Sequence, residues 1–522
     1  MNKGSIFKKY LPWVWLIAGY IHDVVFILTS GRYMLDSDMA SEMILSDLLN
    51  KEHSIITHSW IYSTEIRVAE TQWFFRIGLL LSPDNWIVAR AIGTAIMLAL
   101  YIAAWLLLCK VLGWEKIGVW ICAMLLWPFG FWYFMDITWG AYYVPHSIFM
   151  IVSLVILIVL AKKSADGNSI YNIKNALLCM LLLTIAIITG LNGIRNTLIF
   201  YAPLTVYAFA VLYFYLRDNG IKNALTDKKV KLVFARGSII ATAFNFVGYV
   251  GNHVFFENKY QYSSYNSMTW GSGTNSVTKT FKWFIDSFGY TDNATKELFS
   301  VNGICTGVGL LICFVLVISV IRLAMNFKNM SEMDQLYAGI FFSMLVTIGL
   351  VFTYIYGEEQ YWLTTVQFGV AAIFLEIKTD DKLKDFERKS APTVLLIMAV
   401  LSSVGIVKAN IETPMRANPG IEEVISFLEE EGYTQGCATF WHGPIITELT
   451  NGDIEMWTVT DEHDGMARWL QKSSHNTVPT GRYFVLYVDD EVSYLDEFEE
   501  YSGDKGELVY DDGTYTIFEY NN

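Results

Sequence analysis

The chain has 522 residues, of which 53% are hydrophobic, 15% aromatic and only 17% charged, whereas soluble proteins carry charge on about a quarter of their residues. Its mean hydropathy of +0.36 and its repeated apolar runs of about twenty residues, the length that crosses a bilayer as a helix, make it a polytopic membrane protein and exclude a cytosolic enzyme or a disordered chain. The net charge of −14 argues against nucleic acid, whose phosphates need a basic face.

Lys3, Lys8 and Lys9 lead into an apolar stretch from Leu11 to Leu28. The stretch lacks the small-residue cleavage pattern of a signal peptide, so it reads as a retained first span. Beyond it, Asp36 to Asn50 contains neither Gly nor Pro and sets Asp38 and Glu42 one turn apart among Met39, Met43, Leu45, Leu48 and Leu49. That pattern predicts a helix lying at the membrane surface. A second such piece is predicted from Glu65 to Leu81, with Trp73, Phe74 and Phe75 as headgroup anchors and Pro83 as the stop. Further spans are expected near 86–110, 117–134, 143–161, 174–191, 196–216, 233–256, 299–322, 335–356, 360–377 and 392–410, eleven in all.

Basic loops are retained in the cytoplasm. The segments around Lys3 to Lys9, Lys110 to Lys116, Lys162 to Lys174, Arg217 to Arg236, Arg322 to Lys328 and Lys378 to Lys389 (including Lys382 and Lys384) hold 21 of the 32 bases that precede residue 415. They put the N-terminus inside and, with an odd number of spans, the C-terminal domain outside. The outer loops are then 31–85, 135–142, 192–195, 257–298 and 357–359. Loop 257–298, with Tyr260, Tyr262, Tyr265 and Trp270 before Gly271-Ser272-Gly273, reads as a flexible, aromatic-rich segment of a length often found in lids.

Past Pro414 the pattern turns to soluble α/β, which divides the chain into a membrane domain, 1–414, and an outer domain, 415–522. The outer domain holds 23 Asp and Glu against 5 Lys and Arg. A helix is predicted over Ile421 to Gly432, with strands at Cys437–Phe440, Glu455–Val459, Tyr483–Val488 and Tyr515–Glu519. This domain shows no Gly-rich phosphate loop, metal-ligand spacing or nucleophile elbow, and is expected to bind or cover. Trp441-His442-Gly443 reads either as a carbohydrate-stacking element or as a surface turn. The six cysteines provide no disulfide or zinc framework.

Just outside the first span stands Arg32-Tyr33-Met34-Leu35-Asp36-Ser37-Asp38, where a carboxylate meets both a lipid headgroup and a water-borne substrate. Acids at a helix start also cap its free amides, and capping and catalysis stay open with equal weight. His22-Asp23, midway along the first span, is roughly 20 Å deeper at 1.5 Å per residue and reads as an interhelical polar contact.

An acid at the head of a first outer loop with two surface helices, ten or so further spans and an outer soluble domain resembles the GT-C glycosyltransferase superfamily. That superfamily includes the protein O-mannosyltransferases and the lipid A aminoarabinose transferase. Trp139-Gly140-Ala141-Tyr142-Tyr143-Val144-Pro145-His146 and Gly190-Leu191-Asn192-Gly193-Ile194-Arg195 resemble that group as well. The chain departs from the mannosyltransferases in carrying Asp-Ser-Asp where Asp-Glu is common. It also lacks Trp-Trp-Asp-Tyr-Gly, which disfavours an asparagine-linked oligosaccharyltransferase.

The resemblance implies an enzyme that transfers a sugar from a polyprenyl-phosphate donor to an extracytoplasmic glycan, lipid or protein, with inversion, and the lack of an outer disulfide set fits a bacterial plasma membrane. Such chemistry needs a base for the acceptor hydroxyl and cations for the leaving phosphate. Asp38 is the expected base, with Asp36 its substitute or a metal ligand. His146, Arg195 and Lys259 are the expected phosphate ligands, with Lys282 a further loop cation, although a histidine beside Pro and Tyr is more often a structural hydrogen-bonder and a solvated surface explains both lysines more readily. Arg195 runs against the positive-inside trend and must pair with something. Glu42, Tyr143, Glu358 and Tyr361 are the expected substrate contacts. Asp36 and Asp136 are the candidate ligands of Mg2+ or Mn2+, and ion pairing or span capping explains these acids equally. The rival readings are a transporter or flippase of a lipid-linked glycan, which would place ionisable groups at the bilayer midplane, and a non-catalytic envelope assembly protein.

Overall fold

The computed structural model describes residues 3–63, 66–167, 172–263, 277–289, 297–354, 358–380, 383, 385–412 and 418–522. Glu65, Tyr265, Trp270, Gly271-Ser272-Gly273, Lys382, Lys384 and Pro414, named above, lie outside the described residues. The first elements are α1 (Lys3–Thr29), α2 (Ser37–Lys51), β1 (Trp60–Ile61), α3 (Gln72–Leu81), α4 (Trp86–Leu112), α5 (Glu115–Leu125) and α6 (Phe131–Tyr133). Next come α7 (Val144–Ala165), α8 (Ile173–Leu191), α9 (Ala202–Asn219), α10 (Ile221–Thr226), α11 (Val230–Gly251), α12 (Val277–Asp286), α13 (Val301–Asn326), α14 (Glu332–Tyr354), α15 (Leu363–Thr379) and α16 (Asp385–Glu412). The C-terminal elements are α17 (Ile421–Glu430), β2 (Gln435–Thr439), α18 (Gly443–Leu449), β3 (Glu455–Val459), β4 (Gln471–Lys472), β5 (Arg482–Val488), α19 (Leu495–Ser502), β6 (Glu507–Asp511) and β7 (Tyr515–Asn521).

Nine helices among the described residues are long and apolar enough to cross a membrane, and they cover every expected span except 117–134 and 360–377. The first exception is not one helix. α5 stops at Leu125, and Pro128, which has no amide to donate, and Gly130 separate it from α6 and a π-helical turn, Phe134–Trp139. The second is α15, 17 residues long and buried from Leu363 to Ile377, its polar Thr364, Thr365 and Gln367 included.

Two compact units are present. One comprises Met1–Asp23, Met97–His253 and Met268–Thr413; the other comprises Val24–Ile96, Val254–Ser267 and Pro414–Asn522. In the first, α8 crosses α11 at Gly190 and Gly248. A Cβ on Gly190 would stand 2.0 Å from the Asn245 carbonyl oxygen, and one on Gly248 would stand 2.2 Å from that of Ile187. Small residues let apolar helices approach this closely. α12, an amphipathic helix that buries Thr280, Trp283 and Phe284, corrects the reading of loop 257–298 as a wholly flexible segment. Its aromatic pattern at helical spacing supplies that burial.

The second unit joins the first outer loop and a short piece of the long loop to the C-terminal domain. Its five-stranded sheet has the order β3-β2-β5-β7-β6, parallel across β3, β2 and β5 and antiparallel at β7 and β6. β5 is central, and side chains alternate across a strand. Phe484 and Leu486 therefore face the core built with α17, while Tyr483, Val485 and Tyr487 face the core built with α19. β1 pairs with β4 through Trp60 opposite Lys472 and Ile61 opposite Gln471. Tyr62 exchanges backbone bonds with Gln261 and Ser263 at 3.0 and 2.9 Å, so this part of the long loop is pinned.

α2 begins at the predicted place, but it is not an exposed surface helix. Nine of its fifteen residues are buried, and it packs against α3 and α18. Of the three aromatic anchors expected on α3, only Trp73 is exposed, with Ile77, Leu80 and Leu81 beside it; Phe74 is half-buried and Phe75 is buried, turned inward at helical spacing from the exposed residues.

Candidate functional site

In the second unit the candidate carboxylates take different environments. Asp36 is the N-cap of α2. Its backbone is extended, its Oδ1 accepts the Met39 amide at 2.9 Å, and its side chain is buried. Asp38, two residues on, is half-buried in the first turn, where free amides and the helix dipole favour a negative charge. Its backbone carbonyl accepts Ser41 Oγ at 2.8 Å. Glu42 is buried and accepts Thr71 Oγ1 at 2.9 Å, with Arg67 Nη1 3.6 Å away. That carboxylate thus ties the 67–71 segment to α2.

Behind this turn lies an ion pair that the sequence reading did not identify. Arg90, near the start of α4, donates from Nε to Glu448 Oε1 at 2.7 Å and from Nη2 to Glu448 Oε2 at 2.6 Å. Nη2 also reaches the Met39 carbonyl at 2.8 Å. Both side chains are fully buried, and the Phe75 ring lies 4.7 Å from the guanidinium carbon. Burial raises the Glu448 carboxyl, Arg90 works against that rise, and Asp36 adds to it. An arginine inside an apolar run was a readable signal, but its partner was not.

Lys259 is exposed, 5.6 Å from the ring of Tyr260, which stacks on His58 at 4.4 Å. The Glu42 and Lys259 surroundings are therefore built by the first outer loop and the pinned piece of the long loop.

In the first unit, the π-helical turn carrying Asp136 leads into Gly140 and Ala141, the latter with a left-handed φ of 56°. The Asp136 carbonyl accepts the Tyr143 amide at 3.0 Å. Pro145 sits in the first turn of α7, and His146 follows it, buried, with its ring 6.1 Å from that of Tyr143. The Arg195 guanidinium is half-buried among three tyrosine rings, 4.7 Å from Tyr143, 5.6 Å from Tyr142 and 5.9 Å from Tyr361. The structure thus groups Arg195, Tyr143 and Tyr361, which the sequence reading had nominated separately, and adds Tyr142.

Beside Tyr361, Glu358 accepts from the Gln360 amide, and burial raises the Glu359 carboxyl. Lys282 pairs with Asp286 at 2.9 Å. Asn196, next to Arg195, is buried, and neither of its amide atoms has a hydrogen-bond partner among the described residues. Only folding reveals that feature, since an asparagine beside a span end carries no sequence signal. Among the described residues no group of three or more His, Cys, Asp or Glu converges to hold a metal ion.

No family model and no curated protein matches the chain. Solved structures do. ArnT from Cupriavidus metallidurans, in the apo state and bound to undecaprenyl phosphate, is similar at a TM-score of 0.54 and 10% identity, over 96% of this chain and 97% of its own. The Archaeoglobus fulgidus oligosaccharyltransferase, tethered with an acceptor peptide containing the NVT sequon via a disulfide bond, is similar at 0.51 and 10% identity. That match covers 99% of this chain and 75% of the other.

The likeness is one of fold: this multi-pass membrane protein has the GT-C fold with a C-terminal α/β domain. The chain shares that fold with an oligosaccharyltransferase while lacking Trp-Trp-Asp-Tyr-Gly, because packing sets the fold and individual residues set the chemistry.

Proposed function

We propose that the protein is an integral-membrane glycosyltransferase that moves a sugar from a polyprenyl-phosphate carrier to an extracytoplasmic glycan, lipid or protein. The observation that carries this reading is the likeness, over nearly the whole of both chains, to ArnT, solved with undecaprenyl phosphate. In this reading the N-terminus is cytoplasmic, and the acidic domain 415–522 faces outward. α3 rests at headgroup level through Trp73, Ile77, Leu80 and Leu81.

Asp38 takes the proton of the acceptor hydroxyl. The acceptor oxygen forms the new bond to the anomeric carbon, and the carbon–oxygen bond to the phosphate breaks. The electron pair leaves on the polyprenyl phosphate, and a single displacement inverts the anomeric centre. Asp36 is assigned to the cap, since its Oδ1 already holds the Met39 amide, while Asp38, the second residue of the helix, lies half-buried. Arg195 meets the growing phosphate charge, with His146 and Lys259 as further ligands, and Tyr143, Tyr361, Glu42 and Glu358 shape the substrate surroundings. Mg2+ or Mn2+ held by Asp36 or Asp136 has no step in this scheme.

The test incubates purified full-length protein with radiolabelled polyprenyl-phosphate sugars and cell-envelope extracts, with Asp38→Asn alongside. Transfer by wild type and loss of about 100-fold or more in the variant is expected, the scale of general base catalysis. Equal transfer by both proteins would remove Asp38 from the mechanism, and no transfer from any donor would remove the function.

A further inference from the structure

We propose that Arg90 and Glu448 are positioning residues of the transfer reaction, through which the C-terminal domain fixes the turn of α2 that carries Asp36 and Asp38. This rests on the function proposed above.

Three elements far apart in sequence meet at one guanidinium. The Glu448 carboxylate takes two parallel bonds at 2.7 and 2.6 Å, and Met39, between Asp38 and Ala40, offers its carbonyl at 2.8 Å. A guanidinium is planar, and its donors are fixed in a fork. With two bonds on Glu448, the direction of the third is therefore set, and so is the position of the Met39 carbonyl. The side of the cluster is closed by the Phe75 ring, 4.7 Å away, and both charged side chains have 0% exposure. The Asp36 carboxylate also acts electrostatically on Glu448, so the cation stands among acids of both the first loop and the C-terminal domain.

Stability does not account for such a pair. Replacing a buried ion pair with apolar side chains of similar volume is often neutral or stabilising, and an apolar contact would hold α18 to α2 as firmly. What an apolar contact cannot do is direct a donor at one backbone carbonyl. Reacting groups need that kind of placement, since a misplacement of about 1 Å can cost on the order of 100-fold in rate. The C-terminal domain therefore acts as part of the catalytic scaffold.

The test uses the full-length protein with Arg90→Met and Glu448→Met combined, and reads the unfolding midpoint, hydrogen exchange over residues 37–43, and kcat and KM for the donor. A positioning role predicts an unchanged or raised midpoint and faster exchange in the first turn of α2. It also predicts that kcat falls by about 100-fold while KM stays within a factor of about three. Wild-type turnover in the double variant overturns the proposal. Should the double variant unfold, Arg90→Lys, which keeps the charge and loses the fork, carries the same comparison. Exchange is read without donor, so a wild type that transfers nothing defeats the proposed function and leaves the clamp decided by exchange alone. Raised exchange upholds it, and unchanged exchange overturns it.

Discussion

The Arg195 guanidinium carbon lies 4.7 Å from the centre of the Tyr143 ring, a distance at which the ring's quadrupole attracts the cation. Tyr142 and Tyr361 complete the surround. The faces of aromatic rings orient a cation while leaving its charge in place. Arg195→Lys should keep the charge and lose the planar stacking, lowering kcat/KM by about tenfold, the equivalent of ~1.4 kcal/mol. Tyr143→Phe should retain most of the activity and Tyr143→Leu should lose it to a similar degree. Equal behaviour of Phe and Leu at that position would refute the ring's role.

Asp36 and Asp38 separate by substitution. Asp36→Ala removes the acceptor for the Met39 amide and should destabilise the protein by about 1 kcal/mol, while Asp36→Asn, which still caps, should stay within a few tenths. Asp38→Asn should leave the unfolding midpoint unchanged and abolish turnover. A calorimetric scan beside an initial-rate assay reads both. If Asp36→Asn is the inactive protein and Asp38→Asn is active, the assignments are reversed.

Ala141 holds φ at 56° immediately before the two tyrosines that flank Arg195. A side chain in the left-handed region costs about 1 kcal/mol or more that glycine avoids. Ala141→Gly should therefore raise stability by roughly that amount, and Ala141→Val should lower it by more. Thermal unfolding of the two variants in one detergent gives the comparison. A destabilised glycine variant would mean that the Cβ contacts of this buried residue outweigh the strain.

Burial pushes the His442 imidazole down to about 4 and that of His463 down to about 4. Since each folded-state value lies below the unfolded one, the unfolded chain takes up protons first as the pH drops. Stability should fall from about pH 6.5 towards about pH 4 and then level, by on the order of 1–3 kcal/mol per histidine. The hydrogen bond from His475, with Lys472 assisting, holds the Glu455 carboxyl at about 2. It therefore stays ionised in the fold while the unfolded chain protonates, and the loss extends below about pH 4.5. His463→Phe keeps the stacking on Tyr487, 4.7 Å away, and should flatten the upper part of the profile. An unchanged slope between pH 7 and pH 4 in that variant would contradict this account.

Much of the chain was legible because its signals are local. Apolar runs of span length marked nine helices that the structure also has. The absence of Gly and Pro from Asp36 to Asn50 marked α2, an acid at its start marked the cap, and alternation marked β3 at its observed ends, Glu455–Val459. The break in the 117–134 run was present in the sequence as Pro128 and Gly130, but hydropathy averages over such residues.

What only the tertiary structure decided is whatever joins distant residues. Arg90 and Glu448 are 358 positions apart, and β1 meets β4 across a similar separation. The three rings around Arg195 come from two separate loops. Side-chain periodicity records which face of an element is apolar, but not which other element will cover it. The choice of partner is made by shape and charge once the backbone has folded, and single-chain patterns of three or four residues carry no trace of it.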